Sequence, residues 1–169
     1  MNLFILRHGI AAEPDARHFA RDADRPLTKE GIEKMRSIAR AITAMELEFD
    51  VILSSPYVRA RETAELVAKA IDTGKKVKFS SSLEPGGNPR DLIQVIKGFS
   101  TLPENLLLVG HEPHLSQLIG LFVFGESGSE ITLKKGGFCK LSAGELHVGQ
   151  CASLQWLLTP RQMLLMAGD

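Results

Sequence analysis

Two histidines in this 169-residue sequence follow short apolar runs and sit beside a glycine. Arg7-His8-Gly9 comes after Asn2–Leu6, and Gly110-His111-Glu112 comes after Asn105–Val109. A third run, Asp50–Leu53, leads into Ser54-Ser55-Pro56, with Arg59 and Arg61 close behind. An imidazole can be a nucleophile, an acid–base group or a hydrogen-bonded structural residue. Arginine offers a planar fork of donors suited to anions. Taken singly, each of these groups has an ordinary structural or surface reading. Gathered in one place, imidazoles and guanidiniums are costly unless a bound anion compensates the charge. The question is whether the fold gathers them.

The elements that must do so are legible in the pattern. Asn2–Leu6, Asp50–Leu53, Lys76–Phe79 and Asn105–Val109 read as strands, and helical stretches separate them. Thr28 is a plausible N-cap for a helix whose Ile32, Met35, Ile38, Ala39 and Ile42 share one face. Pro56 stands where a proline can open the next helix, with Ala60, Ala64, Val67, Ala68 and Ile71 as its buried stripe. Helices are also expected over Asp91–Phe99 and Pro113–Phe124. The C-terminal part offers Ile131–Leu133, Phe138–Leu141 and Ser153–Leu158 as strands, with Lys135-Gly136-Gly137 as a turn. Strands alternating with helices predict one α/β domain over 1–169: three layers, with a mainly parallel central sheet and late antiparallel strands. In open α/β sheets ligands bind beyond the C-terminal strand ends, which is where both histidines fall.

Other motifs point elsewhere only weakly. His111-Glu112-Pro113-His114 is one residue short of a zinc-protease spacing, and no further ligand set is evident, so no metal is expected. The segments Pro85–Asn88 and Gly136-Gly137 lack the Lys-Ser/Thr ending of a nucleotide-binding loop. Cys139 and Cys151 match no zinc pattern and read as reduced core residues. Twenty basic residues balance twenty acidic ones, which argues against nucleic acid or an anionic membrane as the main partner. No run has the length of a signal peptide or a bilayer span, so the cytoplasm is the expected compartment.

The ordered motifs resemble those of the histidine phosphatase superfamily, which includes phosphoglycerate mutases and acid phosphatases. They are Leu6-Arg7-His8-Gly9, Arg25-Pro26-Leu27-Thr28, Ser54-Ser55-Pro56 through Arg59-Ala60-Arg61-Glu62-Thr63-Ala64, Leu83-Glu84-Pro85-Gly86, Val109-Gly110-His111-Glu112-Pro113, and Leu154-Gln155-Trp156 before Pro160. The short length, without a large capping insertion, resembles the SixA-type phosphohistidine phosphatases most.

That resemblance implies a phosphoglycerate mutase-like fold and a metal-independent phosphatase without cofactor. His8 would be the nucleophile, and a backbone carbonyl near Gly9 would fix its tautomer. Arg7, Arg59 and His111 would bind the phosphoryl oxygens, His111 best as imidazolium, and Gly9 would leave room beneath the phosphate. Arg25 could extend the pocket or lie at the surface, and Arg61 is assigned to structure. Many relatives carry a carboxylate general acid in the region of Glu84. The local pattern here does not align with theirs, and SixA-type members generally lack that acid. The implied substrate is phosphohistidine on a phosphotransfer or phosphocarrier protein, the enzyme being a monomer. The rival readings are a phosphomonoesterase or mutase acting on a small metabolite, and a phosphate-binding module without turnover.

Overall fold

A computed structural model describes residues 1–15, 17–71, 74, 76–126 and 131–168. Six strands form one sheet: β1 (Asn2–Arg7), β2 (Val51–Ser54), β3 (Lys78–Phe79), β4 (Asn105–Gly110), β5 (Phe138–Ala143) and β6 (Ala152–Leu158). Their order is β3-β2-β4-β1-β5-β6. The first four run parallel, β5 is antiparallel to β1, and β6 is antiparallel to β5.

Alternation along each central strand divides the core in two. Leu3, Ile5, Leu106 and Leu108 pack with α3 (Pro89–Lys97) and α4 (His114–Phe124) on one face. Phe4, Leu6, Leu107 and Val109 pack on the other with α1 (Lys29–Ala44), α2 (Val58–Ala70) and Met163 of α5 (Pro160–Met166). Helices therefore cover both faces, which is why the central strands read as unbroken apolar runs.

Thr28 caps α1 as expected, its hydroxyl accepting from the Gly31 N–H at 2.9 Å. Gly31 is required by close approach, because a Cβ there would run into the Ile10 carbonyl. Several boundaries differ from expectation. β3 is a two-residue edge strand, Lys78–Phe79, whose exposed side chains add no buried face. Ile131–Leu133 is not a strand: Leu133 is buried, but its carbonyl accepts from Arg7 Nη1 at 2.8 Å instead of joining the sheet. Pro56 precedes α2 by two residues, and Tyr57 is the N-cap. Apolar periodicity gives no sign of α5, which opens on a Thr159–Gln162 capping box with Pro160 in its first turn.

Candidate active site

The sheet brings the strand ends together by its own hydrogen bonds. Arg7 pairs with Gly110, and the His8 N–H donates to the Gly110 carbonyl at 3.1 Å. On the other side of β4, the Ser55 N–H donates to the Val109 carbonyl at 2.9 Å. His8, Ser55 and His111 thus share one edge, all at least nine-tenths buried. The His8 and His111 ring centroids lie 4.9 Å apart. The first turn of α2 supplies Arg59, which is 4% exposed.

His8 is held by two opposed partners. Its Nδ1 lies 2.7 Å from the Gly9 carbonyl oxygen, an acceptor, so the proton belongs on Nδ1. Its Nε2 then carries the lone pair, and the Arg59 Nε–H donates to it at 3.3 Å. The other arms of Arg59 donate to the Asp22 carbonyl at 2.7 Å and to its carboxylate at 2.8 Å. Thr63, fully buried one turn further along α2, accepts from the Gly9 N–H at 3.1 Å and donates to the Arg59 carbonyl at 2.7 Å. One hydroxyl therefore joins the nucleophile loop to the arginine helix. His111 Nε2 meets Ser55 Oγ at 2.8 Å. Among the described residues, His111 Nδ1 and Arg7 Nε are buried without a hydrogen-bond partner.

A family model of the histidine phosphatase superfamily (branch 1) matches residues 3–84, the stretch holding Arg7, His8, Arg59 and Glu84. An uncharacterized protein of Picosynechococcus is 36% identical over 149 residues, 88% of each chain. A phosphohistidine phosphatase SixA homolog of Haemophilus influenzae is 30% identical over 128 residues, 70% of this chain and 75% of that one. The protein histidine phosphatase SixA solved with tungstate superposes at a TM-score of 0.78 and 25% identity, over 95% of this chain and 98% of that one. The chain belongs to the histidine phosphatase superfamily. Within the superfamily it is SixA-type, and its fold is phosphoglycerate mutase-like, as the motifs implied.

This histidine phosphatase domain places the remaining expected residues unequally. Gly9 enters through its carbonyl, because its N–H is committed to Thr63. Its missing side chain makes room for α1, since a Cβ would press on Met35 and Leu27. Arg25 is largely buried, its side chain 16% exposed. It clamps the preceding loop, donating to the Asp22 carboxylate at 2.7 Å and to the Ala12 carbonyl at 2.6 Å. Arg61 makes an exposed ion pair with Glu65 at 3.9 Å, a weak structural contribution. Glu84 is half-buried on the wall of an open groove of about 580 Å³, together with Asp22, Tyr57 and Arg61. His114 is 2% exposed in the first turn of α4, and its Nε2 is buried without a hydrogen-bond partner among the described residues. Asp22, Thr63 and Ser55 were not singled out from the sequence.

Burial dominates the electrostatics. It lowers the His8 pKa to about 3, against the help of the Gly9 hydrogen bond and with further lowering by Arg59, Arg7 and Lys135. His111 is pushed well down by burial and by His8 and Arg59, with Asp22 pulling the other way. Burial first, and the neighbouring His8 and Arg59 after it, therefore disfavour the expected imidazolium form of His111. Only an anion beside it supplies the charge that would reverse this.

Histidines neutral when folded but titrating near 6.5 when unfolded make stability fall as pH drops below that value. At pH 5, His8 and His111 should each cost roughly 2 kcal/mol relative to pH 7. Burial raises the Glu112 pKa and offsets a little of this loss. Urea unfolding at the two pH values should reveal the loss, and His8→Asn should remove roughly 2 kcal/mol of it. Equal stability at both would mean the imidazoles are not held neutral.

Proposed function

We propose that this protein removes phosphate from a phosphorylated histidine of another protein, through a covalent intermediate on His8. The observation that carries the reading is the orientation of His8. Its Nδ1 proton is anchored on the Gly9 carbonyl, which leaves Nε2 as a lone pair facing Arg59. Nε2 would attack phosphorus in line, forming a P–N bond as the bond to the substrate imidazole breaks. The departing imidazole takes a proton, directly or through water. Water then attacks the phosphoryl group on His8, releasing inorganic phosphate and restoring the imidazole. Arg59, Arg7 and His111 would stabilise the equatorial oxygens. Arg7 and His111 each carry a buried nitrogen that lacks a partner, and such a group is expensive until an acceptor or donor meets it.

Similarity to SixA proteins supports phosphohistidine as the substrate. The open groove walled by Asp22, Tyr57 and Glu84 suits a protein surface better than an enclosed metabolite. A single domain over 1–169, working without metal in the cytoplasm as a monomer, completes the reading. Among the described residues no helix is long and apolar enough to cross a membrane. Glu84 on the groove wall keeps one rival in view, a phosphomonoesterase with Glu84 as general acid.

A leaving imidazole needs less protonic help than an alkoxide, so the two readings separate by substrate. Purified enzyme, with and without EDTA, would be offered a phosphohistidine protein, an aryl phosphate and an alkyl phosphate. Expected turnover falls in that order, unchanged by chelation, and Glu84→Gln barely alters the first. Brisk alkyl phosphate hydrolysis that collapses in Glu84→Gln would make Glu84 the acid and a metabolite the substrate. Loss on chelation, restored by a divalent metal, would overturn the metal-free mechanism.

A further inference from the structure

A second groove, of about 550 Å³, opens from Arg7 on the side of the site away from Glu84. Ile10, Pro160 and Leu164 form its apolar part, and Lys34, Lys134, Lys135 and Arg161 supply its charge. Among the described residues, no carboxylate lines it. Lys34 is satisfied by Glu30 at 2.6 Å. Among the described residues, the exposed Lys134, Lys135 and Arg161 form no ion pair. The groove beside Glu84 differs, because its acids and bases alternate and neutralise one another, Arg21 with Asp24 at 2.8 Å. In a chain with as many acids as bases, a run of unpaired cations at one mouth of the site is a local construction.

The turn that carries two of these cations is built onto the nucleophile strand. The Arg7 N–H donates to the Gly137 carbonyl, and the Gly136 N–H donates to the Arg7 carbonyl, both at 3.1 Å. The Gly137 N–H closes the turn on the Lys134 carbonyl at 2.6 Å. Gly136 has φ +79, and a Cβ there would come within 2.6 Å of Ile38 Cδ1, so the turn has one way to sit. Lys135 is thereby close enough for its charge to bear on His8.

We propose that this groove docks an acidic segment of the phosphoprotein substrate, with carboxylates flanking the phosphohistidine held by Lys134, Lys135 and Arg161. The inference rests on the phosphohistidine reading above and adds which face of the carrier is recognised. Apolar floor between cations suits a peptide chain with alternating carboxylate and aliphatic side chains. A nucleic acid strand would find no aromatic side chain there on which to stack a base.

The test uses two phosphohistidine peptides of equal length, one flanked by Asp and Glu, the other by Asn and Gln. The wild-type enzyme should favour the acidic peptide about tenfold in kcat/KM at low salt, mostly through KM, the advantage shrinking as salt rises. In the double variant Lys134→Glu/Arg161→Glu, both positions being exposed, the preference should vanish or invert. The unphosphorylated peptides, fluorescently labelled, give a binding measurement independent of turnover. If neither phosphopeptide is hydrolysed but the acidic one still binds and the charge reversal abolishes it, the groove stands and the substrate reading falls. Equal hydrolysis and equal binding of the two peptides overturn the groove while leaving the substrate reading intact. Tighter binding of a single-stranded oligonucleotide than of the acidic peptide at the same salt also overturns it.

Discussion

His8→Ala should lose roughly 10⁴-fold or more in turnover, because it removes the atom on which the phosphoryl group would be carried. Quenching the wild-type reaction in base with labelled substrate should trap a phosphoryl group that is stable to alkali and lost in acid. The structure also predicts which nitrogen bears it. Nδ1 is committed to the Gly9 carbonyl at 2.7 Å, whereas Nε2 meets only a donor, Arg59. Phosphorus NMR of the trapped protein should therefore report the Nε2 adduct. His8→Asn retains a polar group of similar reach but no nucleophilic nitrogen, and should be as inactive as the alanine variant. Near-normal turnover in either variant, or label on another residue, would remove His8 from the chemistry.

The residues around that nitrogen were not equally legible in the sequence. Arg7, His8 and His111 could be found because parallel strands buried on both faces are unbroken apolar runs, and the residues just past such a run lie at the ligand edge. Arg59 could be placed from the helix spacing after Ser54-Ser55-Pro56. Asp22 could not be found this way. The loop from Asp15 to Pro26 carries Asp15, Asp22, Asp24, Arg17, Arg21 and Arg25, and no periodicity distinguishes among them. Only the tertiary pairing separates Asp22, bound to the buried Arg59, from Asp24, which holds the exposed Arg21. Thr63 stands within the Arg59–Ala64 motif, but a buried hydroxyl bridging two backbones leaves no trace in hydrophobic spacing. α5 does leave a trace of another kind: Thr159-Pro160 with Gln162 is a helix start signal, too short to show a periodic apolar face beside the strand before it. The apolar residues of Ile131–Leu133 imitate a strand, yet Leu133 is buried in an irregular segment that serves Arg7.

Arg59 should be the most sensitive position after His8. Its guanidinium spends Nε on His8 and both terminal nitrogens on Asp22, at 3.3, 2.7 and 2.8 Å. Removing one strong donor to a developing anion costs about 2 to 4 kcal/mol of barrier, so Arg59→Ala should lower kcat roughly a hundredfold to a thousandfold. Arg59→Lys should recover little of this, because a single ammonium cannot reproduce a fork that reaches the imidazole and the loop at once. The variants should stay folded, since the Asp22 side chain is 52% exposed and water can take over its carboxylate. Asp22 is argued to act only through the arginine. Burial works to raise its pKa, but hydrogen bonds from Arg59 and Arg25 outweigh this and hold it below the ordinary carboxylate value. It is therefore charged throughout the neutral range, a fixed anchor for the guanidinium. Asp22→Asn keeps the backbone carbonyl that accepts one arm and loses the charge that holds the other. Its kcat should fall about tenfold, with the larger share of the loss in kcat rather than KM. The double variant Arg59→Ala/Asp22→Asn should be no slower than Arg59→Ala alone, because an anchor has nothing left to position once its guanidinium is gone. Losses that add in full would instead give Asp22 its own contact with the substrate.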